Sequence, residues 1–368
     1  MKTNSLTRQL DIFCKIISHI LTVKSPHTGH HIQRVPILAE MITQALNKEK
    51  KGYFSPNDLY KISVAAKLHD SGKTTTPDYL LEKSTKLECL HNRIHEIRCR
   101  FEILRRDAEI ACLKKIMAAP EKTAQIKADF RKKVKQLEKD FAFIADCNIG
   151  NSEIKSSDLH QLKKISHYKF KRYFNRLLGL SWLEKQQLTK QQISQYQRSA
   201  TEFLLQDNPQ DNYKEIPTGE IYNLSTIKGT INKQERQKIE QHAAETAAIL
   251  NLLELPPEYA CLNNYASEHH ERPNGSGYPL GLSGAELSVP SRIIMIADIF
   301  EALTSSDRPY KSPKKLSEAL RILQTMKNKG QIDAEIYTVF IKNKIFLKYA
   351  QRYLSPEQID EITLKDYL

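Results

Sequence analysis

An all-α fold is what the sequence predicts, on three observations. Apolar residues recur at spacings of three and four through most of the chain, the mark of one buried helix face. The middle of the chain, residues 88–215, is dominated by Glu, Lys, Arg, Gln, Ala and Leu, which are good helix formers. No segment shows a convincing apolar–polar alternation of the kind a half-buried strand needs. Apolar residues make up 40% of the 368, enough to fill a core, so wholesale disorder is excluded.

The elements follow in order. Residues 4–23 carry Ile12, Phe13, Ile16, Ile17, Ile20 and Leu21 at helical spacing, read as one buried face, with His19 off it and exposed. A loop is expected over 24–29, where Pro26 and Gly29 fall, followed by a helix with His30 and His31 in its first turn. Pro36, five residues in, sits near that first turn or kinks the helix. Residues 56–70 form the next helix. Pro56 suits its first position, Ile62, Ala65, Ala66 and Leu68 pack inward, and His69-Asp70 stand at its end before Ser71-Gly72 break it.

Residues 88–215 differ in character. Between 98 and 172 there are 19 Lys+Arg against 10 Asp+Glu, a net of +9. Phe130, Val134, Leu137, Phe141 and Ile144 make a seam of the kind found in a helical hairpin, separated by Pro120 from a helix over about 89–118 and ended by Asn148–Asn151. From 216 the globular pattern returns. Asn232 and Glu235 fall within a helix-start signal. The following helix puts Ile239, His242, Thr246, Ile249 and Leu250 near one face. Another helix over 258–270 ends at His269-His270, one over 289–303 carries Asp298, and 314–368 reads as three or four amphipathic helices.

Composition narrows the classes of function. Net charge is +13, which favours an anionic partner, although a solvated basic surface accounts for it equally well. Six scattered cysteines form no CxxC pair, which excludes a zinc ribbon and gives no disulfide framework; reduced thiols and a cytoplasmic location are expected. No run of about 18 apolar residues occurs, so no membrane span is expected.

The chemistry concentrates in 269–311, HHERPNGSGYPLGLSGAELSVPSRIIMIADIFEALTSSDRPYK. Here a His pair, a glycine-rich loop, an acid on an apolar helix and a cationic Arg308–Lys311 segment follow one another. Neutral imidazoles and carboxylates are the ligands a borderline divalent metal takes. Arg and Lys bind phosphate oxygens. His31, His69, Asp70, His242, His269, His270 and Asp298 together exceed what one ion requires. Two ions about 3.5–4 Å apart, sharing a bridging carboxylate, would use them all.

HDSGK at 69–73 and HHERPNGSGYP at 269–279 resemble the two signatures of the HD-GYP family. TGHHIQRV, GTINKQERQKIEQH, IADIFEALTS and RPYK resemble the family's flanking motifs in the same order. The resemblance covers about 24–87 and 223–340. It implies an HD-domain helical bundle with a helical-hairpin insertion, divided as 1–87 and 216–368 for the two parts of the catalytic core and 88–215 for the insertion. It further implies a metal-dependent phosphodiesterase that hydrolyses cyclic di-GMP, or a related cyclic dinucleotide, to linear products. Carried over position by position, the seven His and Asp residues match the metal ligands, with Asp70 as the bridge. Asp70 and Lys73 are the expected catalytic residues. Lys73, Tyr278, Arg308 and Lys311 are the expected substrate contacts. His242 is expected to ligate in preference to His95, which lies in the insertion.

Iron or manganese ions are implied, two in number. Three-metal relatives carry a Glu four residues before the first ligand His, and His27 stands there; a third ion is the lesser alternative, with His27 as its ligand. Two other departures are Asn274 for the usual Asp and Ile332 for a usual Phe. The resemblance also leaves room for a signalling or acidic protein partner at the GYP loop or the basic insertion, and for a homodimer. Two other functions stay open: a cyclic-dinucleotide receptor or scaffold without hydrolysis, and an HD phosphohydrolase acting on another nucleotide.

Overall fold

The computed structural model describes residues 2–89, 91–186, 188–198, 200–206, 219–306 and 313–368. Among the described residues, 67% are helical and two short strands occur, as the all-α expectation requires. The helices that build the two cores and the site are α1 (Lys2–Lys24), α2 (Pro26–Glu49), α3 (Pro56–Leu68), α4 (Ile94–Ala118), α5 (Thr123–Ile149), α6 (Ser156–Ser166), α7 (Lys233–Asn251), α8 (Cys261–Ser267), α9 (Val289–Thr304), α10 (Leu316–Asn328), α11 (Ala334–Lys342) and α12 (Ile345–Tyr353). The chain folds as two compact units, one made of Met1–Glu82 with Arg236–Leu368 and the other of Lys83–Glu235.

The first unit is a helical bundle around α9, whose Ile293, Ile294, Met295, Ile296, Ala297 and Phe300 are all fully buried. An all-round apolar helix of this kind belongs at the centre of a core. Phe300 meets the Phe340 ring at 5.0 Å and the Tyr349 ring at 5.9 Å, joining α9 to the C-terminal helices. Ser55 and Asp58 form a reciprocal capping box at the start of α3, with Pro56 in the first turn.

Two expectations at the N-terminus are corrected. There is no loop over 24–29: Ser25 caps α2, which starts at Pro26 and runs through Pro36 to Glu49. Nor is the α1 stripe one buried face. Leu10, Cys14, Ile17 and Leu21 are buried, whereas Ile12, Ile16 and Ile20 remain 43–50% exposed. The six apolar residues read as one stripe cover two adjacent faces of the helix, and only one of them meets the core.

The second unit has its own core, in which Leu87, Ile97, Phe101, Leu137, Ile144, Leu162, Leu204 and Leu224 are buried. The α4 and α5 helices form the expected hairpin, with Leu137 and Ile144 buried on the seam. This unit takes in 83–87 and 219–235 as well. Lys83, itself buried, donates to both oxygens of Glu235 at 2.7 and 2.9 Å, and Lys86 donates to the carbonyls of Leu224 and Thr226. Glu235 also accepts from the Asn232 backbone while Asn232 Oδ1 accepts from the Glu235 backbone, the expected cap of α7.

A small antiparallel pair, β1 (Lys169–Arg172) with β2 (Ala200–Phe203), was not anticipated. Each strand has four residues, too few for alternation to register.

Candidate metal centre

All seven predicted ligands lie in the first unit. Helix ends and turns deliver them: α2 carries His31 near its start, α3 ends into His69-Asp70, α7 carries His242, the turn after α8 carries His269-His270, and α9 carries Asp298. Six of the seven are buried, and the His270 side chain is 20% exposed.

The close fit of two turns sets this geometry. The His69–Thr74 turn lies on α7, where Thr246 donates its hydroxyl to the His69 carbonyl and accepts from the Gly72 amide, both at 3.0 Å. A Cβ on Gly72 would stand 2.0 Å from the His242 carbonyl oxygen, so only glycine allows this approach. In the GYP loop, a Cβ on Gly277 would stand 2.3 Å from the Glu271 Cα. The buried Glu271 carboxylate accepts from the Leu280 and Leu282 amides at 2.6 and 2.9 Å and pins the loop.

Hydrogen bonds aim the imidazoles inward. His69, His242 and His269 each place Nδ1 against the backbone carbonyl three residues earlier, of Ala66, Ile239 and Ala266. A carbonyl only accepts, so each Nδ1 carries the proton and each Nε2 presents a bare lone pair. His31 does the same against a carboxylate: its Nδ1 donates to Glu301 Oε2. Arg34 Nε in turn donates to Glu301 Oε1 at 2.7 Å. Partners of this sort orient metal-binding histidines and raise their basicity. Glu301 escaped sequence reasoning; the available signal was a second acid three residues after Asp298 on an otherwise apolar helix.

The inward atoms gather around Asp70. Its Oδ2 is 3.4 Å from Nε2 of both His31 and His69. Its Oδ1 is 3.4 Å from His242 Nε2 and 3.9 Å from His269 Nε2. Asp298 Oδ1 lies 3.1 Å from His31 Nε2, and Oδ2 lies 4.0 Å from His270 Nδ1. Two groups thus have ligand spacing: His31, His69 and Asp70, and His242, His269 and His270.

The donor set fits divalent metal. Two Nε2–Nε2 approaches, His31 to His69 at 3.3 Å and His242 to His270 at 3.2 Å, bring basic nitrogens together. Buried Asp70 Oδ1 and His269 Nε2 have no hydrogen-bond partner. Buried polar atoms of a folded protein are normally satisfied, and cations between these nitrogens and oxygens would satisfy them.

The electrostatics agree. Burial pushes His242 down to about 4 and His269 down to about 3, and lowers His69 and His270, so these rings are neutral and ready to ligate. Burial opposes a proton on His31 too, but Glu301 and Asp298 outweigh it and hold that ring up to about 9; a cation at Nε2 must displace the proton. Burial would raise Asp70, yet Lys73 and the surrounding imidazoles hold it well below the usual carboxylate range.

Lys73 donates to Asp70 Oδ2 at 2.6 Å and keeps its ammonium partly exposed beside the cluster. Tyr278 stacks on His270, with ring centroids 4.8 Å apart and planes 31° apart. His27 Nδ1 is 3.2 Å from the Ser25 hydroxyl, and His27 is in neither ligand group. His95 is exposed on α4, in the second unit. Ile332 is buried in the core, and Asn274 accepts from Ser276 and donates to the Lys329 carbonyl. Arg308 and Lys311 lie outside the described residues.

Residues 213–336 match the HD domain family model. Among curated proteins, the chain is 37% identical over 115 residues to the 3'3'-cGAMP-specific phosphodiesterase 1 of Vibrio cholerae, covering 31% of this chain and 26% of that protein. It is 41% identical over 96 residues to the 3'3'-cGAMP-specific phosphodiesterase 3 of the same organism, covering 26% and 20%. It is 35% identical over 119 residues to a cyclic di-GMP phosphodiesterase of Thermotoga maritima, covering 31% and 30%. The chain therefore spans less than a third of the length of each of these relatives.

Proposed function

Because the chain belongs to the HD-GYP family, we propose that it is a metal-dependent phosphodiesterase that opens cyclic di-GMP, or a related cyclic dinucleotide such as 3'3'-cGAMP, to a linear product. One observation carries the reading: each oxygen of the buried Asp70 carboxylate faces a different set of imidazoles. A carboxylate so placed can bridge two ions, and two is the number proposed. His31 and His69 would share one ion with Asp70 Oδ2; His242, His269 and His270 would hold the other with Oδ1; Asp298 reaches toward both groups.

Divalent ions in this site would supply Lewis acidity toward a phosphodiester and lower the pKa of water. The chain's own residues do the rest. Hydrogen bonds to Glu301 and to three backbone carbonyls fix the ring orientations before substrate arrives. The Lys73 ammonium, paired with Asp70, would meet a non-bridging phosphate oxygen. Tyr278, on the GYP loop and stacked on His270, would line the substrate site. Arg308 and Lys311 complete the proposed phosphate contacts.

Iron or manganese is the proposed metal, since five imidazoles and two carboxylates suit both. The six free cysteines fit a reducing, cytoplasmic setting. A test is to load the purified chain anaerobically with Fe(II) or Mn(II), incubate it with cyclic di-GMP and with 3'3'-cGAMP, and separate the products by chromatography. A linear dinucleotide or its mononucleotides from at least one substrate, lost on chelation, is expected. No turnover of either by metal-replete protein would overturn the reading.

A further inference from the structure

The second unit carries a surface that the proposed catalysis does not use. Between the two strands, Tyr173, Phe174, Leu178 and Trp182 are 70–85% exposed. Scattered single apolar residues need no explanation, but four large ones within ten positions do. They sit on the ordered segment that follows β1, with Trp182 opening a short helix, Trp182–Gln186. The Arg172 guanidinium donates to the Phe174, Gln195 and Tyr196 carbonyls, the Arg176 amide donates to the Tyr196 carbonyl at 3.0 Å, and the Arg176 guanidinium stacks 4.4 Å from the Tyr196 ring. These bonds shape the segment and leave the large side chains outward, so the exposure is built.

Charge identifies the partner. Residues 163–198 contain nine Lys+Arg and one acid, Glu184. The acid on the strand pair, Glu202, is taken up by Arg172 at 2.5 Å and Arg176 at 3.5 Å. Lys163, Lys164, Lys169, Lys171, Lys185 and Lys190 are exposed in the same stretch of chain. Lys171 lies 5.0 Å over the Tyr173 ring and Lys169 5.0 Å over the Phe203 ring, so cations and aromatic faces are interleaved.

We propose that this segment is a docking surface for anionic phospholipid: Trp182, Tyr173, Phe174 and Leu178 enter the headgroup region while lysines of the same stretch contact lipid phosphates. Tryptophan and tyrosine favour the bilayer interface, and lysines near an anionic surface add attraction that salt screens. Attachment would be peripheral: no helix among the described residues is long and apolar enough to cross a membrane. Single-stranded nucleic acid also pairs cations with aromatic platforms, but stacking uses planar rings, and Leu178 adds apolar area without one. A protein partner would also take up Trp, Tyr and Phe, but protein interfaces are depleted in lysine, and six exposed lysines share this segment.

Trp182 is the single tryptophan, so its emission reports directly on this surface. The full chain is titrated with phosphatidylcholine vesicles, with vesicles containing phosphatidylglycerol, with a uridine oligonucleotide and with polyglutamate. The expected result is a blue shift and co-sedimentation with the anionic vesicles alone. Each of Lys169→Gln and Lys171→Gln should weaken partitioning about fivefold. A Phe174→Ser/Leu178→Ser double variant should lose at least tenfold while keeping the metal content and helicity of the parent. Unchanged emission with anionic vesicles, or equal binding by that folded double variant, overturns the proposal. A shift with the oligonucleotide or polyglutamate in place of vesicles overturns it in favour of that partner.

Discussion

His31 and Glu301 are 270 positions apart in sequence and share one proton bridge, His31 Nδ1 to Glu301 Oε2, inside the core. The pair joins α2 to α9 and fixes which nitrogen of His31 faces the cluster. Glu301→Gln keeps the shape and weakens that acceptor. Metal affinity should fall about 10–100-fold, the usual effect of removing such an outer partner. Equilibrium dialysis against Mn(II) measures it; unchanged affinity would mean that Glu301 is only a packing residue.

Gly72 separates the His69–Thr74 turn from α7 by less than one methyl group. Gly72→Ala should displace one ligand group from the other. The expected cost is about 1–3 kcal/mol of stability, as for other overpacked sites, with loss of metal content. Urea unfolding and metal analysis of one preparation check both; a fully loaded and equally stable variant would contradict the geometry.

Stability of the metal-free chain should depend on pH through buried histidines. In an unfolded chain these rings protonate near 6.5, whereas folded His242 and His269 resist until about 4 and 3. Below pH 6.5 the unfolded state therefore binds protons that the folded state refuses, and stability falls toward pH 4. His31 acts in the other direction. Held up to about 9, its contribution is complete below 6.5 and is lost as pH rises through 9. Chelator-treated protein should be most stable near pH 6.5. His242→Gln/His269→Gln should flatten the acid limb and His31→Gln the alkaline limb, read as urea midpoints from pH 4 to 9. An unchanged acid limb in the double variant would refute this account.

Much of the centre is legible in sequence because its chemistry is local. His69-Asp70, His269-His270 and the glycine-rich loop are short motifs whose residue types suit a metal and its substrate, and the structure brings all seven proposed ligands together. Glu301 was missed because its role exists only across the α2–α9 contact. Helix content was legible from periodicity, which is why α3, α5 and α9 fall where expected. Periodicity alone does not say which of two adjacent apolar faces meets the core, hence the misreading of α1. It also misses strands of four residues paired across some thirty positions, as at 169–203.

Asp70 is the point on which the dinuclear reading turns. Replacing it with Ala should leave both imidazole groups without their shared oxygen donor, and both metal content and phosphodiesterase turnover should fall by about 10²-fold or more. Retention of most activity in Asp70→Ala would remove the residue from the mechanism.

The most direct measurement is anomalous X-ray scattering from crystals of the anaerobically metal-loaded chain. Two peaks per chain are expected, one beside His31 and His69 and one beside His242, His269 and His270, with a different oxygen of Asp70 on each. A single peak, or two peaks that Asp70 does not join, would contradict the account.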